Sequence, residues 1–442
     1  MQGQNVSKIC KSIFSFFNKS ASALGKQTKF VQRESKITAK SFVESLVLGC
    51  LSHPCMTLED MRHFLKKRKV RVSKQGIHAR FTEESVELTK GLHKEALEKF
   101  KMRHAPVLEL LKPFSSVILL DSSGVSLPPQ LQSFYKGFGG AASEAGLKIQ
   151  TLFDYANGQV KDITLTGARQ NDQSFKKHLD NIEENALYLQ DLGYFDTGSL
   201  KSLHDANAFF ISRYLQQTKI FSENGESVNL LEVLRETDAF FKKEILLGQK
   251  HKVKVRLIAY PLPDIEVEKR LRKLNREAEK KGRTLTQEAR EFARWSIFIT
   301  NVDSSILSDY QVYLVYLLRW QVELFFKLCK SEAGIDKING RKHNRVICEI
   351  YAKLICITIL LYICFPIRWQ DNQEISFHKA YQQFHQRASE FFLALTSQYR
   401  LSKFLDGFWD DLKDFALKEK PRKKRLATYQ KIMIAAGQEV FT

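Results

Sequence analysis

The chain has 442 residues, 43% hydrophobic and 27% charged, which is ordinary for a soluble protein and long enough for two or three domains with sizeable cores. Lys and Arg number 69 against 49 Asp and Glu, a net charge of +20, so a polyanionic partner is favoured, either nucleic acid or an acidic membrane surface. The seven Cys form no CxxC pair and no Cys/His zinc spacing, which excludes a disulfide framework and reads as reduced core thiols in a cytosolic protein. Lys8, Lys11 and Lys19 interrupt the N-terminal apolar residues, and no signal peptide is expected.

In chain order, residues 1–108 read as all-helical. Thr57-Leu-Glu-Asp60 has the form of a capping box and opens a helix to about Arg68. After the basic run Lys66–Arg71, Ser73 can cap a short helix to Phe81, and Thr82 a longer one with Glu83 and Glu84 in its first turn. Two helices about a basic turn suit a helix-turn-helix, with Lys74 and Arg80 as candidate DNA contacts, although many helical hairpins share the pattern.

After Pro106 the pattern changes to strands. Ser116-Val-Ile-Leu-Leu-Asp121 reads as a buried strand ending in an acid. The runs 148–155 and 160–166 flank Asn157-Gly158 and read as a hairpin. Residues 172–183 read as helical, and the stretch Ala186–Phe195 as another apolar strand ending in an acid, Asp191, and Gly. A helix near 197–206 and a strand at Ala208–Arg213 complete this part. Between 214 and 292, strands at Lys219–Phe221, Ser227–Leu231 and Lys252–Ala259 lead into a highly charged helix, Asp264–Arg294. Trp295–Asn301 reads as a last strand.

The stretch Tyr316–Lys330 has no Gly or Pro and reads as one long helix. At about 100° per residue, Tyr316, Arg319, Glu323 and Lys330 share one stripe. Ion pairs such as Arg319–Glu323 and Glu323–Lys327 would explain the stripe if it were solvated, but most of the helix circumference is apolar and must be buried. The apolar run Ile350–Ile367 is near the minimum length for a membrane span, and its globular flanks favour a helix buried against a sheet. Residues 373–417 read as helices rich in aromatics, followed by a basic tail, Lys418–Arg425.

An acid just past a buried strand often only caps a turn. Asp121, Asp191 and Glu323 together point further, because sites gather at strand ends. Three neighbouring carboxylates repel unless a cation lies among them, and oxygen ligands in that number suit Mg²⁺ or Mn²⁺. Two such ions about 4 Å apart activate a water or a 3′-hydroxyl for in-line phosphoryl displacement. With the positive charge of the chain, this reads as a nuclease or strand-transfer enzyme, in which Arg319 and Lys330 hold phosphates.

The spacing of Tyr316, Arg319, Glu323 and Lys330 resembles the Tyr-Arg-Glu-Lys signature of a subgroup of DDE transposases from bacterial insertion sequences. Leu120-Asp121-Ser-Ser and Asp191-Leu-Gly-Tyr-Phe195 resemble two further blocks of that family, with Leu192 where many members carry Arg, and the strand from Trp295 resembles a fourth. The resemblance implies an α/β fold: a ribonuclease-H-like mixed-sheet catalytic core at 109–213 and 293–372, interrupted by a mostly β insertion domain at 214–292, with a helical N-terminal DNA-binding domain at 1–108 and a helical C-terminal region at 373–442. It implies cut-and-paste transposition through nicking, hairpin formation and strand transfer, by a homodimer bound to double-stranded DNA, namely terminal inverted repeats and target. Asp121, Asp191 and Glu323 would be the ligands of two Mg²⁺ ions, replaceable by Mn²⁺. Tyr316, Arg319 and Lys330 would contact phosphates, and Trp295 would hold a flipped base or else pack in the core. The place would be the bacterial cytoplasm, at the nucleoid, with no membrane. An inactive DNA-binding relative and a Mg²⁺-dependent nuclease without strand transfer are the alternatives.

Overall fold

The apolar run that begins at Val117 ends at Asp121, but the strand does not. In the computed structural model, which describes residues 2–101, 108–139, 143–237, 239–370, 373–418 and 426–437, the run is the first part of strand β1 (Val117–Leu127). Its side chains alternate as the pleat requires: Val117, Leu119, Val125 and Leu127 enter one hydrophobic core and Ile118 and Leu120 the other. A strand with a core on each face has to be apolar on both, which explains the unbroken Val-Ile-Leu-Leu.

β2 (Ala145–Asp154) and β3 (Gln159–Gly167) follow as the hairpin expected about Asn157-Gly158. Gly158 has φ +62°, and a Cβ there would meet the Arg368 guanidinium at 2.7 Å, so the turn has room for glycine alone. β4 (Leu187–Gln190) and β5 (Phe209–Arg213) lie parallel to β1. The order β3-β2-β1-β4-β5, antiparallel across the hairpin and parallel beyond it, is the ribonuclease-H-like arrangement.

The 214–292 stretch does not form a separate sheet. β6 (Ile220–Phe221), β7 (Ser227–Val228), β8 (Phe241–Leu247) and β9 (Val253–Pro261) join β10 (Trp295–Thr300), which pairs with β5, so that one sheet of ten strands results. Three local expectations need correction. The strand expected at Ser227–Leu231 stops at Val228, and residues 230–235 are helical. The charged helix breaks after Glu279, where Lys281-Gly282 turns with Gly282 at φ +62°, and resumes only at Gln287–Phe292. Residues 172–183 hold two single 3₁₀ turns instead of a helix.

Helices cover the Val117/Leu119 face of the sheet. His343–Cys364 runs through this layer, packed on Ala39–Ser52 and Glu83–Lys99. It is long and apolar enough to cross a membrane, but 89% of its apolar window is buried within the protein. Its neighbours are mainly helices, with β3 of the sheet also beside it. Its one buried lysine is paired: Lys353 Nζ donates to the carbonyls of Gly334 at 2.6 Å and Lys337 at 2.7 Å. The capping box at Thr57–Asp60 and the Ser73 cap form as the sequence predicts, whereas the Thr82 side chain makes no capping bond. Six of the seven cysteines are buried, Cys55 is exposed, and all are free thiols. The basic run 419–425 and the boundary at Pro106 lie outside the described residues.

Candidate active site

The last parallel pair between β1 and β4 is Leu120 opposite Gln190. Asp121 and Asp191 are therefore the next residues on two adjacent strands, and the strands diverge there. β1 continues beside β2, with Asp121 opposite Thr151. The chain after β4 turns into a single 3₁₀ turn, Leu192–Tyr194, with Asp191 at its N-cap. A crevice opens where the two strands part, the usual place for a site in such a sheet.

The third acid arrives on a helical segment whose winding changes three times. Asp309–Tyr316 is α-helical, Leu317–Trp320 is 3₁₀, Gln321–Lys327 is α-helical and Leu328–Glu332 is a π turn. Capping by Ser308 and Gln311 starts it. Phe325 packs on Phe153 of β2 with ring centroids 5.6 Å apart, which seats Glu323 above the crevice. Short 3₁₀ and π stretches inside helices recur at functional sites. Here one carries Arg319 and the other Lys330, so the uniform turn per residue assumed from the sequence does not hold across the stripe.

Arg319 lies between the acids. Its Nη1 donates to Asp121 Oδ2 at 3.1 Å, its Nε stands 3.7 Å from Asp191 Oδ1, and its Nη2 stands 3.6 Å from Glu323 Oε1. Among the described residues no other cation lies within ion-pair distance of these three carboxylates. Burial, the largest cause, pushes the Asp121 carboxyl up to about 6; the neighbouring Asp191 and Glu323 add to it, and the Ser122 N–H and Arg319 oppose it. The Ser122 N–H donates to Asp121 Oδ1 at 2.8 Å, which fixes the carboxylate in the crevice.

The remaining signature residues divide. Tyr316 is buried; its ring meets Phe298 edge-on at 5.2 Å and its hydroxyl faces the Gln190 carbonyl at 3.5 Å, beside Asp191. Lys330 is half-buried and Lys327 exposed. Trp295 opens β10 half-buried and lines a cleft of about 510 Å³ with Leu231, Leu234, Arg235, Pro261 and Arg294. Lys74 is exposed, 4.0 Å from Glu59. Arg80 is folded back, its guanidinium 4.0 Å over the Phe30 ring and donating to the Phe30 carbonyl at 2.7 Å.

One neighbour of the site has no linear signal. Asp172 Oδ1 accepts from Ser122 Oγ at 3.0 Å, Lys148 Nζ at 2.9 Å and Gln150 Nε2 at 3.0 Å. Tyr194, just past Asp191, donates its hydroxyl to Gln150 Oε1. This network ties β1, β2 and the turn after β4 together on the sheet face opposite Arg319. Its members come from distant segments: Ser122 and Tyr194 belong to recognisable blocks, whereas Asp172, Lys148 and Gln150 do not.

Three carboxylates are the donor chemistry of a hard divalent cation. As placed, however, no group of three or more acid, His or Cys side chains among the described residues is set to hold an ion. The acids are spaced around a guanidinium.

Residues 112–359 match the family described as a transposase DDE domain. The chain is 28% identical to the transposase for insertion sequence element IS1151 of Clostridium perfringens, covering 91% of each chain. It is 26% identical to the transposase for element IS231F of Bacillus thuringiensis subsp. israelensis, covering 81% of this chain and 80% of that one. Among solved structures, the piggyBac transposase synaptic complex with hairpin DNA aligns over 92% of this chain and 85% of that one, at a TM-score of 0.47 and 12% identity.

Proposed function

The chain belongs to the DDE-domain transposases, and from that premise we propose that it moves an insertion sequence by a cut-and-paste route. Members of this family act on DNA with divalent metal ions. The proposal assigns Asp121, Asp191 and Glu323 as ligands of two Mg²⁺ ions, with Mn²⁺ able to substitute. When bound, such ions supply activation of the attacking oxygen and stabilisation of the leaving oxygen in phosphoryl transfer.

The side chains of the protein do the rest. The Ser122 N–H holds the Asp121 carboxylate in place, and Tyr316 buttresses the β4 end from which Asp191 projects. Arg319 and Lys330 bind phosphates flanking the scissile bond. Trp295, with Arg294 beside it, takes a base flipped out at a hairpinned end. Lys74 faces solvent and contacts the outer duplex, while Arg80 braces the turn behind it. The substrates are double-stranded terminal inverted repeats and target DNA, held by a homodimer at the bacterial nucleoid. The tracts 1–108 and 373–442 flank the two catalytic halves, and 214–292 is the insertion between them.

One observation carries this reading: a single guanidinium stands within 3.1–3.7 Å of all three acids, so residues far apart in sequence share one small site. Glu323→Gln is the test. It should abolish cleavage and joining while leaving binding to the element's ends intact; a variant that still cuts contradicts the assignment of the third acid. Supplying pre-cut ends with target DNA separates strand transfer from simple nuclease action, since a nuclease yields no joined product.

A further inference from the structure

Resting on that metal-site reading, we propose that Arg319 is an internal competitor for the divalent ion, and that ion entry and phosphate capture are coupled through its displacement. The guanidinium occupies the space between Asp121, Asp191 and Glu323. A Mg²⁺ ion bound by the same oxygens at about 2.0–2.1 Å needs that space. The two cations are therefore alternative occupants of one position.

Three features make the exchange feasible. Only the contact to Asp121 is at hydrogen-bond distance; those to Asp191 and Glu323, at 3.7 and 3.6 Å, are charge contacts. The Asp191 and Glu323 side chains are 44% and 38% exposed while those of Asp121 and Arg319 are 17% and 15% exposed, so two of the three acids are open to an ion from solvent. Arg319 also sits in the 3₁₀ turn Leu317–Trp320 between two α-helical segments, an irregularity of the kind that recurs at functional sites.

The charge balance gives the exchange a direction. Three carboxylates with one arginine carry a net −2, and two divalent ions in place of the arginine bring the acids to +1. A guanidinium expelled from that site is repelled by the ions and needs an anion. A DNA phosphate beside the metal position provides one. Metal and DNA then bind cooperatively, and by linkage each raises the affinity of the other by the same factor. Arg319 is a positioning residue in this scheme: it keeps the unloaded acids together and hands the site over when substrate arrives.

The measurement is Mn²⁺ binding to the full-length protein, followed by the loss of the free-ion paramagnetic resonance signal. Without DNA, Arg319→Gln should bind Mn²⁺ more tightly than wild type, by about tenfold for a coupling of ordinary size. Arg319→Lys should fall between the two. Adding a duplex with the element's end should tighten Mn²⁺ binding to wild type and leave Arg319→Gln nearly unchanged. Equal or weaker Mn²⁺ binding by a folded Arg319→Gln overturns the proposal. If that variant does not fold, Arg319→Lys with affinity equal to or below wild type does so. If wild type and Glu323→Gln bind Mn²⁺ equally, the metal-site reading itself fails, which is a separate outcome. A purely structural role for Arg319 predicts weaker, not stronger, ion binding on its removal.

Discussion

Leu120 and Gln190 form the last parallel pair between β1 and β4, and this single register places Asp121 and Asp191 side by side at the mouth of the crevice. A slip of one residue would turn one carboxylate to the opposite face of the sheet. The register is protected by the apolar residues on both faces of β1 and by the Ser122–Asp172–Lys148 network beyond it. The positions of two of the three acids are thus consequences of sheet packing.

Tyr316 belongs to the signature, yet its ring is in the core and its hydroxyl faces a main-chain carbonyl. Tyr316→Phe should cost at most about 1 kcal/mol of stability and leave end binding and cleavage near wild type. Tyr316→Ala should cost about 3–5 kcal/mol, the usual loss for a buried aromatic, and disable the site by loosening β4. Urea unfolding with an end-cleavage assay checks both. Loss of end binding in the Phe variant would show that the hydroxyl reaches DNA.

Lys353 anchors the turn that follows the Glu323 helix through the carbonyls of Gly334 and Lys337. Lys353→Met keeps the volume and removes the donor. It should lower the unfolding free energy by about 1–3 kcal/mol, the cost of leaving buried acceptors unmade. Equilibrium denaturation gives the value, and an unchanged stability would mean that the carbonyls find other partners.

His93 is buried against the Tyr351 ring, and burial, the largest cause, depresses its pKa from 6.5 to about 4. The unfolded chain takes up a proton near 6.5 while the folded protein resists it. The His93 share of stability is therefore full above about 6.5 and is lost as the pH falls toward 4, amounting to about 3 kcal/mol at most. His178 is buried likewise and shifted in the same direction to about 4. Melting temperatures from pH 7 to 4.5 should fall more steeply for wild type than for His93→Phe; parallel slopes would contradict the assignment.

Much of the site can be read from the chain because its signals are local. Asp121 and Asp191 each end a short apolar run, and an apolar run is what a strand covered on both faces demands. The position of Arg319 could not be read in the same way. Helical spacing puts it on the stripe with Glu323, but the 3₁₀ turn at Leu317–Trp320 and the two acids from the sheet decide that it points between carboxylates. β8 escaped for a different reason. Its sequence Phe-Lys-Lys-Glu-Ile-Leu-Leu carries exposed Lys242, Lys243 and Glu244, so neither alternation nor an apolar run marks it, and pairing with β9 makes it a strand. Asp172 is recruited by residues of β1 and β2, which no window of sequence contains.

The most direct test of the metal site is end cleavage by Asp191→Cys in Mg²⁺ and in Mn²⁺. A thiolate is a poor ligand for Mg²⁺ and a better one for Mn²⁺. If Asp191 ligates the catalytic ion, the variant is inactive with Mg²⁺ and recovers cleavage with Mn²⁺, while wild type cuts with both. Cleavage in Mg²⁺ at the wild-type rate would contradict a metal-ligand role for Asp191.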